Sequence, residues 1–125
     1  HINRAPYSGK VEMIDYRKGK FLVAHKPEAS EQNERNSIGL VCQNGMKLLV
    51  RQIAGIIAQR IVCGVKVDQD IQKGMRIGMI KFGSRTEIFV PKDDLDKINV
   101  QLNDMVKGGE TILGILKNGN KNKKD

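Results

Sequence analysis

A mostly β fold of short antiparallel strands with little helix is what this sequence predicts, and three observations predict it. The apolar residues are Ile, Val, Leu and Met far more than aromatics (4%, with no tryptophan), and they fall in short, often alternating runs. Glycine, 13 of the 125 residues, recurs between those runs where the chain must turn. Residues 65–77 can be laid on residues 100–112 at a constant offset of 35, with Val65/Val100, Val67/Leu102, Ile71/Val106, Gly74/Gly109 and Ile77/Ile112 coinciding.

Residues 1–9 are polar and close on turn formers; Pro6 fixes its own φ and biases Ala5 toward an extended conformation. Residues 10–14 alternate as a strand, Arg17-Lys18-Gly19 turns the chain, and residues 20–24 read as a second strand. Residues 26–36 are polar with no apolar face, which predicts a surface loop with room for one helical turn. Asn44-Gly45 between the runs 37–42 and 46–50 is a strong hairpin signal. Residues 52–62 carry Ile53, Ile56, Ile57 and Ile61 at helical spacing, but β-branching and Gly55 favour strand, bend, strand.

The central stretch is Lys81-Phe82-Gly83-Ser84-Arg85-Thr86-Glu87-Ile88. It follows Arg76-Ile77-Gly78-Met79-Ile80 and precedes Ile88-Phe89-Val90-Pro91, so it reads as the junction of two strands. Glycine lets a neighbouring atom approach its carbonyl, and the adjacent serine supplies a hydroxyl. By itself the pair is equally a strand kink.

Each repeat, at about 65–80 and 100–115, reads as strand, polar turn, one inward apolar residue, glycine turn, strand. Two copies predict two hairpin layers packed face to face. Such repeats resemble the barrel-sandwich hybrid hairpins of biotinyl and lipoyl carrier domains, which present a lysine at a hairpin tip. Lys81 lies near that place, but no carrier motif surrounds it. A non-enzymatic carrier or binding module is therefore the alternative reading.

Length bounds the chain to one domain, residues 1–116, followed by a lysine-rich tail, 117–125, with nothing apolar to bury and expected to be disordered. The net charge of +8 attracts polyanions, an anionic membrane face or nucleic acid. The scarcity of aromatics removes the stacking platforms of a single-strand binder, so no nucleic-acid partner is expected. Cys42 and Cys63 lie in apolar runs and read as buried free thiols, with one disulfide as an open alternative. With His1 and His25 they form no zinc pattern, and no metal is expected. No run is long enough to span a bilayer. The chain starts at His1 and not Met, which reads as a truncated or processed piece.

Several pieces in one order resemble the phosphatidylserine decarboxylase family, in its short bacterial and archaeal form. They are His1-Ile2-Asn3-Arg4-Ala5-Pro6 with Ser8-Gly9, Lys20-Phe21-Leu22, residues 29–36 (Ala-Ser-Glu-Gln-Asn-Glu-Arg-Asn), Gln52-Ile53-Ala54-Gly55, and Ala58-Gln59-Arg60-Ile61-Val62. Residues 76–85 and Val106-Lys107-Gly108-Gly109-Glu110-Thr111 complete the set.

The resemblance implies a self-processing lyase. Ser84 Oγ would attack the Gly83 carbonyl, the chain would break between Gly83 and Ser84, and position 84 would become a pyruvoyl group, the enzyme's own cofactor. Residues 1–83 and 84–116 would then remain together as a β/α heterodimer. That ketone would form a Schiff base with phosphatidylserine and accept the electrons released with CO₂, giving phosphatidylethanolamine. His1 would return a proton, a task suited to an imidazole. Asn33, Glu34 and Arg35 match the family's polar loop and are expected to order it through an internal ion pair. Arg4, Arg60 and Arg85 are candidates to support the site or meet a phosphate or carboxylate.

The family's processing aspartate and membrane-associating segment lie upstream of the His motif, outside this sequence, so this piece alone is expected to process poorly. Peripheral attachment to the cytoplasmic side of the cell membrane follows from a lipid substrate; a homo-oligomer is compatible with the sequence.

Overall fold

The computed structural model describes residues 2–24, 26–56, 60–81 and 83–117. The fold is mostly β, as the sequence predicts. One sheet has five strands in the order β6-β2-β3-β4-β8: β2 Gly9–Arg17, β3 Arg35–Cys42, β4 Lys47–Ile53, β6 Asp70–Ile71 and β8 Arg85–Phe89. A second has three, in the order β1-β7-β5: β1 Ile2–Arg4, β5 Ile61–Cys63 and β7 Arg76–Ile80. β9 Leu95–Ile98 and β10 Gly114–Leu116 make a separate antiparallel pair.

The β3–β4 hairpin forms where Asn44-Gly45 predicts it. Gly45 takes φ +83, and the Cys42 amide donates to the Met46 carbonyl at 2.7 Å. β2 runs longer than its alternation predicts. A register shift between Val11 and Met13 bends it, as a bulge does.

Paired residues of an antiparallel sheet share a face, so the large sheet can be read in rows. Ile14, Ile38, Val50 and Ile88 form one row; Leu40 and Leu48 are partners in the next. Ile38, Leu40, Leu48 and Val50 pack with Val11, Cys42, Val65, Ile71 and Ile77 into the core between the two larger sheets. On the same face, the row Tyr16, Asn36, Gln52 and Thr86 continues the stack as polar residues.

Three expectations are corrected. Residues 21–24 form no strand; Lys20 makes only an isolated parallel bridge to Asn33. Residues 26–36 are no solvated loop. They supply the single turn of α1, Ala29–Gln32, and the start of β3, and they bury Ala29, Asn33 and Asn36. Asn33 and Asn36 are satisfied inward, while Lys26, Glu28, Glu31 and Gln32 stay exposed, a division that composition does not reveal. Both cysteines are free, but only Cys42 is buried; Cys63 is exposed at the end of a short strand.

The internal repeat is present in backbone geometry. Asp68 and Asn103, 35 positions apart, take φ +73 and +74, and Gly74 and Gly109 take +84 and +78. The turn bonds repeat as well: Gln69 N to Lys66 O matches Asp104 N to Gln101 O, and Met75 N to Gln72 O matches Glu110 N to Lys107 O. The burial does not repeat. Ile71 and Ile77 are 3% and 0% exposed, whereas Val106 and Ile112 are 50% and 64% exposed. The expected face-to-face packing of the two copies is thus absent. Of the expected disordered tail, 117–125, Lys117 donates its amide to the Asp94 carbonyl at 2.9 Å, and residues 118–125 lie outside the described residues.

No helix among the described residues is long and apolar enough to cross a membrane.

Candidate functional site

β7 and β8 are consecutive strands in different sheets, and residues 81–84 carry the chain from one to the other. Gly83 has φ +84, in the region that glycine enters freely and other residues do not. Ser84 follows it, half-buried, and Arg85 begins β8 in register with Ile53, which is fully buried. Lys81 is exposed. β7 and β8 are not partners, so Lys81 occupies no hairpin tip and the carrier geometry is missing.

The carbonyl of Gly83 rests on Gly55. A Cβ built on Gly55 would lie 2.0 Å from the Gly83 oxygen and 3.0 Å from its carbon, with the Ala24 methyl at 3.4 Å. Residues 52–55 were singled out in sequence as part of a longer pattern, with Gly55 read only as a bend. Its contact with Gly83 has no local sequence signal.

Around Ser84 the outer face of the large sheet carries a charged cluster. Arg85 donates through Nη2 to Glu87 Oε2 at 2.6 Å, and through Nη1 to the carbonyls of Ala24 and Lys26, each at 3.2 Å. Ser30 donates to Glu87 Oε1 at 2.6 Å, and Arg51 Nη1 donates to Ser30 Oγ at 3.1 Å. The Arg51 guanidinium also stacks over Phe89, 4.9 Å from the ring centre. Arg85 is thus committed to holding Ala24 and Lys26 against β8. Glu87 and Arg51, which complete this cluster, were not anticipated.

Asn33 fastens the covering segment. Its Oδ1 accepts from the Leu22 amide at 2.9 Å, and its Nδ2 donates to the carbonyls of Leu22 at 2.8 Å and Ala54 at 2.7 Å. The Ala54 amide in turn donates to the Glu34 carbonyl at 3.0 Å. Asn33 therefore ties the polar segment to the residue just before Gly55.

The expected ion pair between Glu34 and Arg35 is not found among the described residues. Arg35 donates to the Asn33 carbonyl at 3.0 Å, and Glu34 Oε2 accepts from the Tyr16 hydroxyl. That bond is the main cause of a raised Tyr16 pKa, with desolvation and the Glu34 charge adding to it. Glu34 Oε1 is buried, and no described residue donates to it.

The other candidates are dispersed. His1 lies outside the described residues. Its neighbour Ile2 pairs with Met79 on β7, the strand that leads into residues 81–84. Arg4 donates to the Gly74 carbonyl at 2.9 Å and so braces a turn of the first repeat. Arg60 is exposed just before β5.

A polar row, also unanticipated, buried at Asn36, Gln52 and Asn3 and ending at the exposed Thr86, connects the strands on either side of the site. Asn36 Nδ2 donates to Gln52 Oε1 at 3.0 Å, Gln52 Nε2 to Asn3 Oδ1 at 2.8 Å, and Asn3 Nδ2 to Thr86 Oγ1 at 3.2 Å. It fixes β1, two residues beyond His1, against β8, two residues beyond Ser84.

Comparison with known proteins gives a consistent answer. A family model described as phosphatidylserine decarboxylase matches residues 1–114. The phosphatidylserine decarboxylase proenzyme of Syntrophus aciditrophicus (strain SB) is 51% identical over 114 residues, covering 91% of this chain and 53% of that protein. The protein of the same description from Carboxydothermus hydrogenoformans is 50% identical, over 94% of this chain and 54% of its own. That of Wolbachia sp. subsp. Brugia malayi is 44% identical, over 99% and 53%. This chain spans about half the length of the curated relatives it matches. No solved structure matches it. With its family model covering residues 1–114, the chain belongs to the phosphatidylserine decarboxylase family.

Proposed function

We propose that this chain carries the self-cleaving segment of a phosphatidylserine decarboxylase, with the break between Gly83 and Ser84. The observation that carries the reading is the Gly83 carbonyl: it rests on a side-chain-free residue, belongs to the residue just before a serine, and lies in a link between two sheets. Ser84 Oγ adds to the Gly83 carbonyl carbon and displaces the nitrogen, so the amide becomes an ester and the Ser84 amine is freed. Loss of the Ser84 α-proton expels the Gly83 carboxylate and leaves dehydroalanine. Tautomerisation to the imine and addition of water release ammonia and leave a pyruvoyl group at position 84.

The surroundings fit such a group. Neither Gly83 nor Ser84 belongs to a strand, so the break removes no sheet pairing. Arg85, immediately after it, is held by two carbonyls, by Glu87 and by its ladder to β4. When present, the group supplies a carbonyl that captures the substrate amine and accepts electrons as CO₂ departs. His1, from the motif that resembles the family's, returns the proton to the substrate carbon. Arg60, exposed and among the described residues without the commitments that Arg4 and Arg85 show, meets the lipid phosphate or carboxylate. Asn33, Glu34 and Arg35 hold the covering segment.

The substrate is phosphatidylserine and the place of action the cytoplasmic face of the cell membrane. Peripheral contact is supported by Leu102 and Met105, each 95% exposed in a turn region that also carries Lys107.

Intact mass of the full-length protein tests the reading. Two chains on denaturation are expected, the second with a blocked start at position 84, together with CO₂ release from phosphatidylserine vesicles. Ser84→Ala should give one chain and no release. A full-length protein that remains one chain and still decarboxylates the lipid overturns it. Flotation with anionic vesicles tests the membrane contact, and a full-length protein that never floats counts against it.

A further inference from the structure

Gly55 is a glycine for lack of room and not for its backbone conformation. Gly45, Gly74 and Gly83 have positive φ, whereas Gly55 does not. What a side chain at 55 would meet is the reacting carbonyl itself: oxygen at 2.0 Å and carbon at 3.0 Å from the Cβ position. The obstacle is backbone and not the movable end of a side chain. Gly55 is buried and follows Ala54, which is fixed by Asn33 and by the Glu34 carbonyl. The surface that the Gly83 carbonyl rests on is therefore held by the fold and cannot easily withdraw.

We propose that Gly55 is a positioning residue for self-cleavage. The inference rests on the break at Gly83-Ser84 proposed above and adds what sets its geometry. When Ser84 Oγ adds to the Gly83 carbon, the carbonyl oxygen takes the negative charge. The direction in which that oxygen is held decides which side of the carbonyl faces the hydroxyl. Gly55 fixes that direction by admitting the oxygen where any Cβ would expel it. A methyl group there must displace the carbonyl by about 1.4 Å to reach ordinary contact, a shift large enough to cost positioned reactions about a hundredfold.

The experiment uses full-length protein. Wild type, Gly55→Ala and Gly108→Ala are followed by intact mass for cleavage before residue 84, and by hydroxylamine, which traps the ester. Gly108 is the control, because a Cβ there meets nothing within 4 Å and its φ is not positive. Gly55→Ala is expected to cleave about a hundredfold more slowly and to accumulate no hydroxylamine-sensitive ester, while Gly108→Ala follows wild type.

Folding is read separately by comparing the melting of Ser84→Ala with that of Ser84→Ala/Gly55→Ala, neither of which can be cut. Equal melting with slowed cleavage supports the role. Equal melting with cleavage at the wild-type rate overturns it. If the double variant does not fold, the contact is read without changing Gly55, as a nuclear Overhauser effect between the α-protons of residues 55 and 83 in Ser84→Ala. Its presence supports the proposal and its absence overturns it. A wild-type protein that is never cut instead removes the underlying assignment, a result distinct from cleavage that ignores a methyl at 55.

Discussion

Gln52 bridges the two larger sheets by donating to Asn3: its Nε2 lies 2.8 Å from the Asn3 Oδ1, with both residues buried. Gly78 leaves the space it crosses; a Cβ there would lie 2.4 Å from that same nitrogen. The five-stranded sheet is thus joined to the three-stranded one by a polar contact inside an apolar stack. A hydrogen bond holds one register, where apolar contact alone tolerates sliding.

Gln52→Leu should therefore be costly although leucine is apolar and of similar length. It leaves Asn36 Nδ2 without its acceptor and Asn3 Oδ1 without its donor. At about 1–3 kcal/mol for each buried group left unpaired, a loss of about 2–6 kcal/mol is expected. Thr86→Val, which removes one acceptor at the end of the row, should cost about 1 kcal/mol. Urea denaturation of the uncleaved Ser84→Ala protein measures both; equal effects would show that the row does not act through Gln52.

Asn33→Ala removes three hydrogen bonds at a fully buried position and should cost about 2–4 kcal/mol. Asn33→Asp gives a distinguishing pH dependence. A carboxylate there faces the carbonyl oxygens of Leu22 and Ala54 with no proton to offer, so burial raises its pKa and the folded state prefers the protonated acid. The variant should lose least stability at low pH and progressively more as pH rises past the ordinary aspartate range. Parallel pH–stability curves for Asn33→Asp and wild type would contradict this.

Arg85→Lys should loosen the segment around residues 22–26 without unfolding the protein. One ammonium cannot reach the two carbonyls and Glu87 with the geometry of a guanidinium. Hydrogen exchange at the Lys26 amide, which donates to the Val23 carbonyl, should quicken about tenfold, corresponding to roughly 1.4 kcal/mol of lost local stability. The β3–β4 amides should keep their protection.

Tyr16 offers a test at alkaline pH. Its bond to Glu34 holds the phenol proton more tightly in the folded chain than at the ordinary value of 10.0. The contribution is therefore complete below pH 10.0 and is lost as pH climbs through the raised folded value. In Glu34→Gln the Tyr16 phenolate should appear at lower pH, because both the charged acceptor and its electrostatic contribution are gone. Ultraviolet titration reads this directly, and an unchanged curve would deny the bond.

The two thiols should separate cleanly. Burial pushes the Cys42 pKa up and excludes reagents, whereas Cys63 is exposed. Alkylation of native protein followed by peptide mass should find Cys63 modified and Cys42 untouched until denaturant is added. Equal rates at both would place Cys42 outside the core.

Local signals were the legible ones. Asn44-Gly45 marked its hairpin because that turn is decided by the two residues in it. The 35-residue offset marked the repeated polar and glycine turns, and the backbone there repeats at Asp68 and Asn103 and at Gly74 and Gly109. What was not legible depends on partners distant in sequence. Residues 21–24 are apolar like a strand but have no sheet edge to join, and Asn33 is buried because Leu22 and Ala54 saturate it. Within the site, Gly83 and Ser84 stood out by motif. Gly55, Glu87 and Gln52 lie in quoted stretches too, but what they touch was not legible, since their neighbours are 28, 57 and 49 positions away.

The passage from β7 to β8 has one more consequence. A break after Gly83 leaves a new terminus only one residue ahead of Arg85, whose ladder partner Ile53 is fully buried. A reactive group at that terminus has no swinging arm. On the proposed reading it hangs on a one-residue leash from a strand laddered to a buried residue, so a substrate has to be brought to it rather than it to the substrate.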